Sequence, residues 1–143
     1  MKRTLGIVAL TSTLALTACG KTGADEPPQA VEYPSMIEWY DAMDAEDSPV
    51  HCTSREAKTP PLINEAEYQV ICREDTGAEA NVMTYASNDD IEDRLWSARQ
   101  EPEWKDGEWF ILRGPNWTVD CKTEQQCQNW QSGFGGEILK SDS

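Results

Sequence analysis

A nucleophilic catalytic site needs a general base beside a serine or cysteine, and the 143-residue chain offers a single histidine, His51. There is no Gly-x-Ser-x-Gly turn to present a serine, and His51 reads as a surface or strand-edge residue. A zinc site fares no better: five cysteines are present, but no two stand as Cys-x-x-Cys and one histidine cannot complete a Cys/His set. Carboxylates could do acid–base work and are plentiful, as in Asp41, Asp44, Glu46 and Asp47, or in Asp89, Asp90, Glu92 and Asp93. The second group falls in the first turn of a predicted helix, where the helix dipole stabilises negative charge. Neither group has the glycine and twelve-residue spacing of a calcium-binding loop. No glycine-rich phosphate cradle occurs, and the sequon Asn116-Trp117-Thr118 is read as incidental. These residues predict a non-catalytic protein without metal or cofactor.

Tryptophan is the unusual component. Six occur, five of them after residue 95. Trp109, Trp117 and Trp130 lie in apolar surroundings and are expected in the core. Trp104 lies instead in the polar, turn-rich stretch Glu101-Pro102-Glu103-Trp104-Lys105-Asp106-Gly107. Two readings follow: an exposed anchor for a binding partner, with Trp96 and Arg99 extending the patch, or a lid folded back on the core. The function expected is therefore a protein-binding or modulating module. The alternative is a binder of small ligands or glycans that stacks them on exposed tryptophan.

The N-terminus carries an address. Met1-Lys2-Arg3 is basic, and the uncharged stretch Leu5–Leu16 that follows is too short to span a bilayer core of about 30 Å as a helix. It ends Leu16-Thr17-Ala18-Cys19-Gly20, which resembles the lipobox of bacterial lipoproteins. The resemblance covers residues 1 to 20. It implies that residues 1–18 are an export signal, that Cys19 carries diacylglycerol, and that the protein is held on the extracytoplasmic face of a cell membrane; with the tryptophan patch and no catalytic set, an envelope protein is the partner expected there. Cysteine parity agrees, because acylation of Cys19 leaves four cysteines to pair. Four allow three connectivities; the local pairs Cys52–Cys72 and Cys121–Cys127 are expected because each would join adjacent elements. Removal of residues 1–18, among them Lys2 and Arg3 and no acid, leaves 125 residues with a net charge of −16. That charge argues against nucleic acid and against direct binding to anionic lipid.

The elements that must position these residues are legible from caps and periodicity. Residues 20–32, with a Pro27-Pro28 pair and little apolar content, read as a flexible tether, and residues 33–143 as one domain. Ser35 with Glu38, Ser87 with Asp90, and Thr123 with Gln126 have the spacing of helix capping boxes. The first helix would bury Met36, Ile37, Tyr40 and Met43, the second Ile91, Leu95 and Ala98, and the third Cys127 and Trp130, with Gly133 as its stop. Strands are predicted near 50–53 and over 68–72, 81–85, 109–112 and 117–121, with a turn at Asp75-Thr76-Gly77. The order α-β-β-β-α-β-β-α, with hairpins, predicts an α+β two-layer sandwich: a mainly antiparallel sheet, helices on one face, and two disulfides. From Thr84 to Ile138 the pattern is similar to that of small lipoproteins and secreted proteins of high-GC Gram-positive bacteria. It passes from a strand ending Ala86-Ser87 through an acidic helix and Asn116-Trp117-Thr118-Val119 to Phe134-Gly135-Gly136. The resemblance implies fold and address and no activity.

Overall fold

The computed structural model describes residues 26–60, 62–63 and 66–141; the expected signal segment and Cys19 lie outside these. Its elements run α1 (Met36–Asp44), β1 (Cys52–Ala57), β2 (Tyr68–Glu74), β3 (Glu79–Thr84), α2 (Asn88–Ala98), α3 (Pro102–Lys105), β4 (Phe110–Arg113), β5 (Trp117–Cys121), α4 (Glu124–Phe134) and β6 (Glu137–Leu139). All three expected caps form: the side chains of Ser35, Ser87 and Thr123 accept from the backbone N–H of Glu38, Asp90 and Gln126. Each satisfies a first-turn donor that would otherwise have no partner. The third helix stops at Gly135 (φ +68°), two residues beyond the glycine expected to end it.

The strands form one antiparallel sheet in the order β1-β2-β3-β5-β4-β6. This is the expected α+β fold, with both expected disulfides in place. Cys52–Cys72 staples β1 to β2, and Cys121–Cys127 pins α4 to the end of β5.

The helices do not share one face. α1 and α4 cover one side, burying Trp39, Met43, Cys127 and Trp130 against Val70, Val82, Trp117 and Val119. α2 and α3 cover the other, burying Ile91, Leu95 and Trp104 against Met83, Tyr85 and Ile111. Topology gives the reason. The connections β3→β4 and β5→β6 both step toward the same edge and both join parallel strands, but β3 and β5 run in opposite directions. Crossovers of one hand, the strong preference in proteins, then place the two connecting helices on opposite faces.

Two smaller expectations are corrected. On α1 the buried line is Met36, Trp39 and Met43 with Tyr40 half-buried, whereas Ile37 is 70% exposed. Trp39 wins the inward position because Tyr33, Trp117 and Phe134 close around it at ring-centroid distances of 4.2, 4.8 and 4.7 Å. The first strand starts at Cys52 rather than Val50 and runs to Ala57. The described part of the tether is also fixed in part. Trp117 Nε1 donates to Val31 O at 2.9 Å, and the Asn116 amide exchanges hydrogen bonds with both backbone groups of Tyr33.

Candidate functional site

The layer of α2 and α3 packs on one face of the sheet, and a groove of about 750 Å³ opens along its margin. A second lobe of about 230 Å³ continues it over Ile71, Ala80 and Asn81. Trp109, Asp120 and Lys122 line both lobes.

Helical spacing and strand alternation build the floor. Ile91, Leu95 and Ala98 turn inward, and Arg94, one turn after Ile91, turns with them. On β5, Trp117, Val119 and Cys121 face α4, so Thr118 and Asp120 face α2. The two charges meet: Arg94 Nη2 donates to Asp120 Oδ2 at 2.6 Å, with the side chains 3% and 12% exposed. The guanidinium also lies over the Trp109 ring, 4.7 Å from its centroid. Burial pushes the Asp120 carboxyl above its ordinary range while the Arg94 charge pulls it back.

A file of hydrogen bonds extends this pair across the sheet. Asn81 Nδ2 donates to Asp120 Oδ2 at 3.3 Å, Gln69 Nε2 to Asn81 Oδ1 at 3.1 Å, and the Ile63 backbone N–H to Gln69 Oε1 at 3.3 Å. Among the described residues, Arg94 Nε and Asp120 Oδ1 are buried without a hydrogen-bond partner. Beneath α2, the Tyr85 hydroxyl bonds Thr118 Oγ1 at 3.1 Å, and burial pushes the phenol up to about 12.

The walls and rim differ from the floor. Trp96 points outward from α2, 65% exposed, and Ile63 on the β1–β2 connection also lines the groove. Glu101, Glu103 and Glu108 line the rim, and none has an ion-pair partner among the described residues. Among the described residues no group of three His, Cys, Asp or Glu side chains is placed to hold a metal ion.

The chain matches no protein-family model, no curated protein and no solved structure. The groove must therefore be read from its own residues.

The three tryptophan-patch residues expected from the sequence separate. Trp104 is not an exposed anchor: it is 7% exposed, held by α3 edge-on to Trp109 at a centroid distance of 6.5 Å. The lid reading is the one the packing supports, since Pro102 opens a short helix that turns the indole into the second core. Trp96 does line the groove. Arg99 caps α2 through its backbone and its side chain lies outside the lining. Trp109, expected in the core, is half-buried and serves as a groove wall. No motif singles out Arg94, Asp120 or Lys122. The available signal is a cation on the apolar stripe of α2 and a carboxylate at an inward strand position. His51 is exposed and uses its backbone carbonyl to accept from Asp75 N.

Proposed function

We propose that the chain is a lipid-anchored, extracytoplasmic binding module of a bacterial envelope, non-catalytic, whose protein partner occupies the groove between Trp96 and Trp109. The observation that carries this reading is the groove itself. An exposed indole stands beside a floor of buried, paired charges, and a large amphipathic aromatic side chain at the surface is the residue type that interface anchors most often use. The lipobox pattern supplies the address, with signal removal before Cys19 and lipid on its thiol. Two acyl chains, at about 0.8 kcal/mol per buried methylene, anchor a protein stably. No helix among the described residues is long and apolar enough to cross a membrane.

The binding reading is tested in intact cells with a photoactivatable phenylalanine at position 96 or, as control, at exposed position 37. One protein crosslinked from position 96 and absent from position 37 supports it. Equal capture from both positions, or none, removes it. The address is tested by intact mass of the membrane fraction: residues 1–18 absent and a lipid mass on Cys19 are expected, and a soluble unmodified product contradicts them.

A second reading, a small-ligand or glycan binder, is favoured by size, since about 750 Å³ lies within the range of small-molecule sites. Tryptophan fluorescence should then shift on titration with cell-wall fragments; flat titrations across such a panel dispose of it.

A further inference from the structure

We propose that the groove receives a basic peptide segment of its partner, with a lysine or arginine cation seated between the Trp96 ring and the glutamates 101, 103 and 108. The inference rests on the binding reading above and names the chemistry of the occupant.

The molecule itself shows how it holds cations. Arg94 lies over Trp109 and against the Asp120 carboxylate. Arg55 lies over the Tyr40 ring, 5.0 Å from its centroid, and against the Asp44 carboxylate. In each case an aromatic face and a carboxylate share one guanidinium, the combination in which ring quadrupole and ionic attraction add. The groove contains a third set of the same parts, an exposed indole at Trp96 with three glutamates on the rim. Among the described residues, no cation from this chain lies over that ring or pairs with those carboxylates.

Charge complementarity points the same way. Within the two lobes Arg94 is neutralised by Asp120, and Glu79 is paired with Arg73. What remains unpaired among the described residues of the lining is Glu101, Glu103 and Glu108 against Lys122 alone. The chain's net charge of −14 adds a long-range field that draws positive segments toward the cleft. An extended peptide also suits the shape, because the open second lobe continues the cleft across the sheet beyond the seat of one side chain.

The test uses the native chain in neutral detergent at about 0.15 M salt, where long-range attraction is largely screened. Calorimetry compares acetyl-Gly-Lys-Gly-Lys-Gly-amide with the same peptide acetylated on both lysines. Binding of the cationic form should be about tenfold tighter, and Trp96→Ala should weaken it by about as much, the loss expected for one cation–π contact. The triple variant Glu101→Gln, Glu103→Gln, Glu108→Gln should weaken it similarly. A charge-matched triple on the side of α1, Glu38→Gln, Asp41→Asn, Glu46→Gln, should change it less than about twofold.

Equal losses from the two triples would mean unspecific attraction and overturn the proposal, as would equal binding of the acetylated peptide. If the peptide fails to bind while crosslinking from position 96 persists, the basic-segment inference falls and the binding module stands. If both fail, both fall.

Discussion

At the scale of single residues, buried polar groups decide more than their number suggests. Glu74, 5% exposed, accepts from Trp130 Nε1 at 2.8 Å and from Gln126 Nε2 at 2.7 Å, tying α4 to the end of β2. Gln126 keeps a second acceptor in Glu79 O, whereas the indole N–H has no other among the described residues. Glu74→Leu should therefore cost about 2–4 kcal/mol, mostly the desolvation of a stranded donor, read as a lower urea midpoint with groove binding unchanged. The Arg94–Asp120 pair behaves differently. Losing one partner strands a buried charge, so Arg94→Met alone should cost about 3–5 kcal/mol, while Arg94→Met with Asp120→Leu should recover most of it. A double variant no more stable than the single would show that the pair does not carry the cost. Tyr85 gives a pH signature. Its folded pKa, pushed to about 12, lies above the ordinary 10.0. The phenol's contribution is thus fully present below pH 10 and is lost as pH rises toward 12. Relative to Tyr85→Phe, the wild-type unfolding free energy should fall across that window; parallel curves would place the hydroxyl in water.

At the scale of elements, the N-terminal segment and the turn after α4 hold each other. A Cβ on Gly135 would come within 2.1 Å of Pro28 O and 2.6 Å of Ala30 N, at a φ of +68° that side chains rarely adopt. Gly135→Ala should release residues 28–33, seen as faster proteolysis there and a lower melting temperature. If removal of those residues abolishes the extra penalty of Gly135→Ala, the clash is its source; additive effects would assign it to backbone strain alone. The elements were the legible part of this protein. Three capping boxes and the alternation over 117–121 located α1, α2, α4 and β5, because each signal is local. α3 and β6 escaped because four and three residues are too short for a period to show. The division of helices between two faces escaped for another reason: it follows from strand order, which β5 sets by inserting between β3 and β4. The groove was the least legible, since Arg94, Trp109 and Asp120 lie on separate stretches of chain and no spacing relates them. Only Trp96 carried over from the expected patch.

At the scale of the whole molecule, the two faces are stabilised unequally. Both disulfides act on the side of α1 and α4: Cys52–Cys72 joins β1 to β2, and Cys121–Cys127 fastens α4 to β5. The layer of α2 and α3 has no covalent tie among the described residues and rests on a smaller apolar cluster around Ile91, Leu95, Trp104 and Ile111. Segments with fewer buried contacts open at lower free energy than the global transition. This layer also supplies Trp96, Arg94, Glu101 and Glu103, so the proposed binding surface is mounted on the part of the fold most able to yield. Native-state hydrogen exchange should accordingly show α2 and α3 amides opening below the free energy required for β3, β5 and α4, with the gap narrowing when the groove is filled. A ligand that binds the closed layer stabilises it by mass action. Exchange at one common free energy would mean that the buried Arg94–Asp120 pair and its hydrogen-bond file bind the layer to the sheet as firmly as the disulfides bind the other face. The groove would then be a rigid receptor, and its selectivity would lie in shape and charge alone.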